Sequence, residues 1–273
     1  MLSILRIAGI VAVLLSAVAL VAWFGQRHLL YFPPRSDLAS DTRLARSRAL
    51  EPWLTPSGAF LGWRAPAPGG AAVARVIVLH GNAGSALDRN YLREVLQAPG
   101  LPPLDVFLME YPGYGSRAGE PTESSILDAT VQAIDLFGPE LPVLLVGESL
   151  GSAAAALAAA ARPRVAGLLL VTPLVSVPAV ARRHYPFVPS FLHRDTFRAD
   201  LALPGYGGRV AFLVAGRDEV TFPDLARDLF QAYPGPKRLW EEPAAGHNTV
   251  PYRPGSPLWT EITGFLLGYT SPR

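Results

Sequence analysis

A serine framed by glycines, a histidine in a glycine-bounded loop and an aspartate between them in chain order could together carry out acyl transfer. Gly147-Glu148-Ser149-Leu150-Gly151 is a G-x-S-x-G pentapeptide. It follows the apolar run Val143–Val146 and opens an alanine-rich helical stretch, Leu150–Ala161, stopped by Pro163. A sharp strand-to-helix turn pushes a serine hydroxyl out of the end of a sheet, and flanking glycines let neighbouring backbone pass closely. The pentapeptide alone is weak in a chain with 25 glycines. Its place between strand and helix makes Ser149 a candidate nucleophile rather than a helix-capping serine.

A serine hydroxyl needs a base, and the base needs an acid to orient it. Of five histidines, His28 borders an N-terminal apolar run, His80 belongs to a second glycine-rich motif, and His184 and His193 fall in a long insertion. That leaves His247, in Ala244-Ala245-Gly246-His247-Asn248. Asp218, in Gly216-Arg217-Asp218-Glu219, is the candidate acid; adjacent Glu219 and the earlier Glu110 are alternatives. An oxyanion formed at the attacked carbonyl needs two backbone N–H donors. Leu150 offers one, and Asn82 in His80-Gly81-Asn82-Ala83-Gly84 the other. His80 then holds that loop, which lacks the Gly-Lys-Ser/Thr ending of a phosphate loop. Tyr111 and Tyr114, in Tyr111-Pro112-Gly113-Tyr114-Gly115, are candidates for substrate contact at the same mouth; the alternative is a turn stacked by its own tyrosines.

The elements that must position these groups follow from the apolar pattern. Ala59–Ala65 reads as an edge strand, with Val76–Leu79, Val106–Met109, Val143–Val146, Leu168–Val171, Val210–Val214 and Arg238–Glu241 as further strands. Helical spacing covers Ser85–Gln97, Thr122–Phe137, Leu150–Ala161, Phe222–Tyr233 and Leu258–Tyr269. Short unbroken apolar strands alternating with helices require a mostly parallel sheet covered on both faces. Residues 174–208, rich in proline and aromatics, interrupt the alternation, as a cap over a cleft would. The expected organisation is an anchor over 1–28, a connector over 29–58 and one α/β domain over 59–273.

The anchor rests on Ile7–Phe24, eighteen uncharged residues spanning about 27 Å as a helix. Trp23 and Phe24 stand where an interfacial belt would sit. A cleaved signal peptide has a shorter apolar core, and a buried helix has a polar side; this run fits neither well. It predicts one membrane span, with orientation left open by Arg6 on one side against Arg27, Arg35 and Arg43 on the other. The domain beyond it has its own sheet and triad, so its chemistry should not need the span.

Composition removes other classes. Half of the 273 residues are hydrophobic and 17% charged, which excludes a disordered chain. Twenty-three of the 24 basic residues are arginines, scattered without blocks, so no nucleic acid is implied. The absence of cysteine excludes disulfides, thiolate metal sites and a cysteine nucleophile. The chemistry asks for no metal and no cofactor.

HGNAG, MEYPGYGSRAGEPTE, GESLG, GRDE and GHN, in this order and spacing, resemble serine hydrolases of the α/β-hydrolase superfamily. The N-terminal span followed by LLYFPPR is similar to the membrane-anchored Bem46-like group and its α/β-hydrolase domain-containing relatives. The resemblance implies an α/β-hydrolase fold, the triad Ser149–Asp218–His247 and general ester or acyl hydrolysis; the span and the aromatic insertion point to a lipid-like acyl substrate beside a small ester or thioester. Peptidase or acyltransferase activity on the same triad, or a non-catalytic binding protein, are the alternatives. Two positions depart from the group: Thr249 stands where relatives often have Asp, and Pro112 where many have Arg.

Overall fold

The computed structural model describes Arg6, Gly9, Ile10 and residues 23–269. The expected span over 7–24 therefore lies outside the described residues, apart from Gly9, Ile10, Trp23 and Phe24. Among the described residues, no helix is long and apolar enough to cross a membrane.

The strands are β1 (Glu51–Leu54), β2 (Phe60–Ala65), β3 (Ala74–Leu79), β4 (Leu104–Met109), β5 (Val143–Glu148), β6 (Val165–Val171), β7 (Arg209–Ala215) and β8 (Lys237–Glu242). They form one sheet in the order β1-β2-β4-β3-β5-β6-β7-β8. β1 and β2 pair antiparallel, as do β2 and β4, and every later pairing is parallel. The central strands are apolar throughout because both faces are covered. Ile77 and Leu79 of β3 point into a core shared with the helices Glu123–Asp135 and Leu150–Ala161. Val76 and Val78 point the other way, against the helices Asn90–Leu96 and Pro257–Leu267. Alanines 153–156, 158 and 159 are fully buried, so the small side chains let that helix lie close to the sheet.

Strand order reverses at β3, which has β4 on one side and β5 on the other. Loops leaving the carboxyl ends of β3 and β5 diverge there and open a crevice, the usual ligand position in such sheets. Leu79 pairs with Gly147, so the ends of both strands meet at that crevice.

Residues 29–58 are more than a connector. They contain a helix, Leu38–Ser47, whose N-cap Asp37 accepts from the Ser40 amide, and then β1. β1 carries Pro52, tolerable because an edge strand need not donate every N–H. Trp53 joins β1 to the core, its ring 4.8 Å from Phe107 and stacked 5.8 Å from Phe137. Residues 174–208, expected to cap the cleft, lie between β6 and β7 and include a helix, Val177–His184, with Ser176 as N-cap.

Candidate active site

Ser149 sits at the junction of β5 and the helix Leu150–Ala161, with φ 54° and ψ −119°. This backbone region is costly for a residue with a Cβ, at about 1–3 kcal/mol, and survives where surroundings over-determine it. Here the Ser149 N–H donates to Val171 O at 2.9 Å, and Ser149 O accepts the Ser152 hydroxyl at 2.6 Å. The pentapeptide's glycines are steric requirements. A Cβ on Gly151 would stand 2.2 Å from Leu79 O, and one on Gly147 2.2 Å from Gly151 O. Glu148, between them, accepts the Tyr91 hydroxyl and pairs with Arg89 at 3.1 Å, fastening the turn to the flanking helix.

His247, in the loop after β8, places Nε2 3.0 Å from Ser149 Oγ and Nδ1 2.8 Å from Asp218 Oδ2. Asp218 is 4% exposed, so its carboxylate must be satisfied internally. Oδ1 accepts the amides of Val220 at 2.8 Å and Thr221 at 2.9 Å; Oδ2 accepts the Thr221 hydroxyl at 2.8 Å. Burial pushes the Asp218 pKa up, but the hydrogen bond and charge of His247, with the Thr221 donors, outweigh it and hold the carboxyl below its usual range. Asp218 thus stays charged opposite the imidazole at neutral pH. The neighbouring Glu219 is exposed. Glu110 is buried 3.4 Å from His80 and accepts the Ala86 amide, so it is committed elsewhere.

Asn82 and Leu150 both line the cavity that contains Ser149. The Asn82 side chain points away, donating to Leu30 O at 2.9 Å, and its carbonyl accepts from Phe32 N and the Tyr114 hydroxyl. Among the described residues, neither the Asn82 nor the Leu150 amide N–H has an acceptor. His80 is fully buried, with Nδ1 2.7 Å from Gly81 O and its ring 3.8 Å from that of Tyr111.

The expectation of substrate contact from Tyr111 and Tyr114 needs correction. Both are fully buried and outside the cavity wall. Tyr111 donates to His80 O and Tyr114 to Asn82 O, each at 2.7 Å. Burial raises both phenol pKa values, so both hydroxyls remain donors. They brace the loop that carries Asn82. Thr249 likewise holds a turn, accepting the Gly246 amide at 2.8 Å.

The cavity beside Ser149 measures about 430 Å³, within the usual ligand range of roughly 300–1,000 Å³. Its walls are Leu174, Val177, Val180 and Ala181 from the cap, Val220 and Thr221 beyond Asp218, and Leu29 and Leu30 from the helical stretch 23–30.

Residues 70–201 match the family described as serine aminopeptidase, S33. An uncharacterized protein of Mycobacterium tuberculosis strain H37Rv is 32% identical over 272 residues, covering 96% of this chain and 94% of that protein. The solved Pyrococcus furiosus esterase Pf2001 superposes with a TM-score of 0.61 over 88% of this chain and 97% of its own; at 17% identity this is a likeness of fold. The chain belongs to the α/β-hydrolase superfamily. It is a serine hydrolase of that superfamily. A yeast protein described as an uncharacterized membrane protein is also related, at 27% identity over 175 residues, 60% of this chain and 61% of that protein.

Thr221 escaped the sequence reading. Its signal was present: Asp218-Glu219-Val220-Thr221 has the spacing at which an aspartate accepts from a residue three ahead. The contribution of residues 23–30 to the cavity had no such local signal.

Proposed function

We propose that this hydrolase cleaves carboxylic ester or thioester bonds through Ser149, His247 and Asp218 by way of an acyl-enzyme. The observation that carries the reading is the unbroken chain of contacts, 3.0 Å from Ser149 Oγ to His247 Nε2 and 2.8 Å from His247 Nδ1 to Asp218 Oδ2. Ser149 Oγ attacks the substrate carbonyl carbon as His247 Nε2 takes its proton, and Asp218 stabilises the resulting imidazolium. The amides of Asn82 and Leu150 receive the oxyanion. Collapse expels the alkoxide or thiolate, which leaves with the proton from His247. Water, deprotonated by His247, then attacks the acyl-enzyme, and the acid is released as Ser149 regains its proton. The apolar walls beside Ser149 suit an apolar acyl group, and the fold neighbour from Pyrococcus is described as an esterase.

We further infer that residues 1–28 anchor the enzyme in a membrane as a single span. The uncharged run over 7–24 supports this, as does the description of the yeast relative as a membrane protein.

The description of the matched family raises a second reading, an aminopeptidase. That activity requires a carboxylate to hold the substrate's free ammonium group. Asp195 lines the cavity, but Arg27 occupies both its oxygens and the Glu123 amide adds a third donor. An ester substrate needs no such group.

The deciding experiment replaces Ser149 with Ala. Hydrolysis of a short activated ester should fall by on the order of 10⁶ in kcat, and covalent labelling by a fluorophosphonate should disappear. Labelling of the variant at the parent rate would remove Ser149 from the mechanism.

A further inference from the structure

The stretch 23–30, which starts with the last two residues of the apolar run, is built into the cavity. Trp23, Gln26, Leu29 and Leu30 line it on the side facing the cap. What holds it is a set of contacts made across more than 160 residues of sequence.

Gln26 bridges two cap groups: Nε2 donates to Leu192 O at 3.2 Å, and Oε1 accepts the Arg194 amide at 2.7 Å. Arg27 grips Asp195 with two donors, Nε at 2.8 Å and one Nη at 3.2 Å. The Asp195 side chain is 5% exposed and also accepts the Glu123 amide, so one buried carboxylate ties together the leading stretch, the cap and the start of the helix Glu123–Asp135. At the other end, Leu30 O and Phe32 N bond the side chain and carbonyl of Asn82. The stretch therefore touches both the cap and the loop that would receive the oxyanion. Leu29 is 77% exposed while lining the cavity, as expected of a wall awaiting a chain to cover it.

We propose that residues 23–30 are the acyl-selectivity wall of this hydrolase, latched to the cap by Arg27–Asp195, and that the substrates selected carry an extended alkyl chain running along Leu29. Rested on the ester-hydrolase reading above, this names that site's substrate class. Arg27 and Asp195 are positioning residues that act through the wall. The wall discriminates by covering methylenes. Each one taken from water is a factor of about four in affinity, so uncovering two costs roughly fifteenfold. A two-carbon acyl group has no chain to run along Leu29 and should be indifferent to it.

The test uses the full chain in detergent micelles, with p-nitrophenyl acetate and p-nitrophenyl decanoate as substrates. The variants are Arg27→Met, which opens the latch, and Leu29→Trp, which blocks the wall without touching the buried core. In both, the ratio of decanoate to acetate kcat/KM should fall at least tenfold, carried by the decanoate KM. Leu29→Trp keeps the test open if Arg27→Met misfolds. A ratio that stays within twofold of the parent in the folded variants overturns the wall, as does an equal loss on both esters. Fluorophosphonate labelling of the parent separates the two ideas. Labelling with an unmoved ratio defeats the wall alone, whereas no labelling and no hydrolysis of either ester defeat both.

Discussion

Asp218→Asn has an effect that follows from the four donors around the carboxylate. Oδ1 faces two backbone amides, Val220 and Thr221, while Oδ2 faces His247 and the Thr221 hydroxyl. An asparagine can sit in two ways. With its carbonyl toward the two backbone amides, its NH2 donates to His247 Nδ1 and to Thr221 Oγ1, whose own proton can turn to Thr172 O, 3.3 Å away. Every group is then satisfied, but Nε2 must carry the imidazole proton and point it at Ser149. That tautomer cannot act as base. The flipped amide restores the productive tautomer and sets NH2 against two buried N–H groups.

Leaving two buried donors unpaired costs about 2–6 kcal/mol together. At 1.4 kcal/mol per tenfold, the productive form is depleted by roughly 30-fold to 10⁴-fold. Steady-state hydrolysis of a short activated ester should lose that factor in kcat, and fluorophosphonate labelling should slow by the same factor, since both need Ser149 deprotonated. KM should stay within about threefold, because Asp218 is not part of the cavity wall. Exposed Glu219, changed to Gln, should alter kcat less than twofold. More than a tenth of parental kcat in Asp218→Asn, or a hundredfold loss in Glu219→Gln, would refute the assignment of the acid.

Three further outcomes are expected. Tyr114→Phe removes the donor to Asn82 O, worth about 0.5–1.5 kcal/mol; kcat should fall about two- to tenfold with KM unmoved, and a raised KM at constant kcat would restore Tyr114 to the substrate wall. Gly151→Ala drives a Cβ against Leu79 O, so unfolding stability should drop by about 3 kcal/mol or more. Gly205→Ala, with open space around it, should be silent, and equal melting temperatures for these two would contradict the packing described. Asp218 has a folded pKa below its unfolded value of 3.8, so its stabilisation is complete above that value and drains away as pH falls through the folded one. Melting temperature should therefore decline more steeply below about pH 4 in the parent than in Asp218→Asn, and parallel curves would show that the pairing adds no stability.

Elements governed by local rules were legible from the chain. β3 and β5–β7 announced themselves as unbroken apolar runs, and Leu150–Ala161 has the same bounds in the structure as in the sequence reading. The elements that escaped hide their burial. The helix Leu38–Ser47 is rich in Arg and Ser and buries just Ala45, so its apolar face is too thin to show a period. In Val177–His184, Pro178 looked like an interruption. It lies in the first turn, where its missing N–H has no partner to lose. β1 was obscured in the same way by Pro52 at a sheet edge.

The same division runs through the site. Ser149, His247, Asp218 and the Asn82 loop lie at the ends of strands, and the pairing of the sheet brings strand ends together whatever their separation in sequence. Their glycines and turn residues are demanded by backbone geometry and so leave a mark in the letters. The Arg27–Asp195 contact joins residues 168 apart through side chains alone, with no strand register to place it. Nothing near Arg27 distinguishes it from the arginines scattered elsewhere, and the sequence assigned it to an anchor the chemistry could do without. Its bidentate grip on a carboxylate 5% exposed argues otherwise. Breaking a buried pair by removing one partner typically costs about 3–5 kcal/mol. A chain cut after residue 27 would leave Asp195 buried without its cation and remove Trp23 and Gln26 from the cavity wall. The segment that continues from the apolar run is thus part of the structure that lines the cavity, and selectivity should be the first property to fail when it is removed.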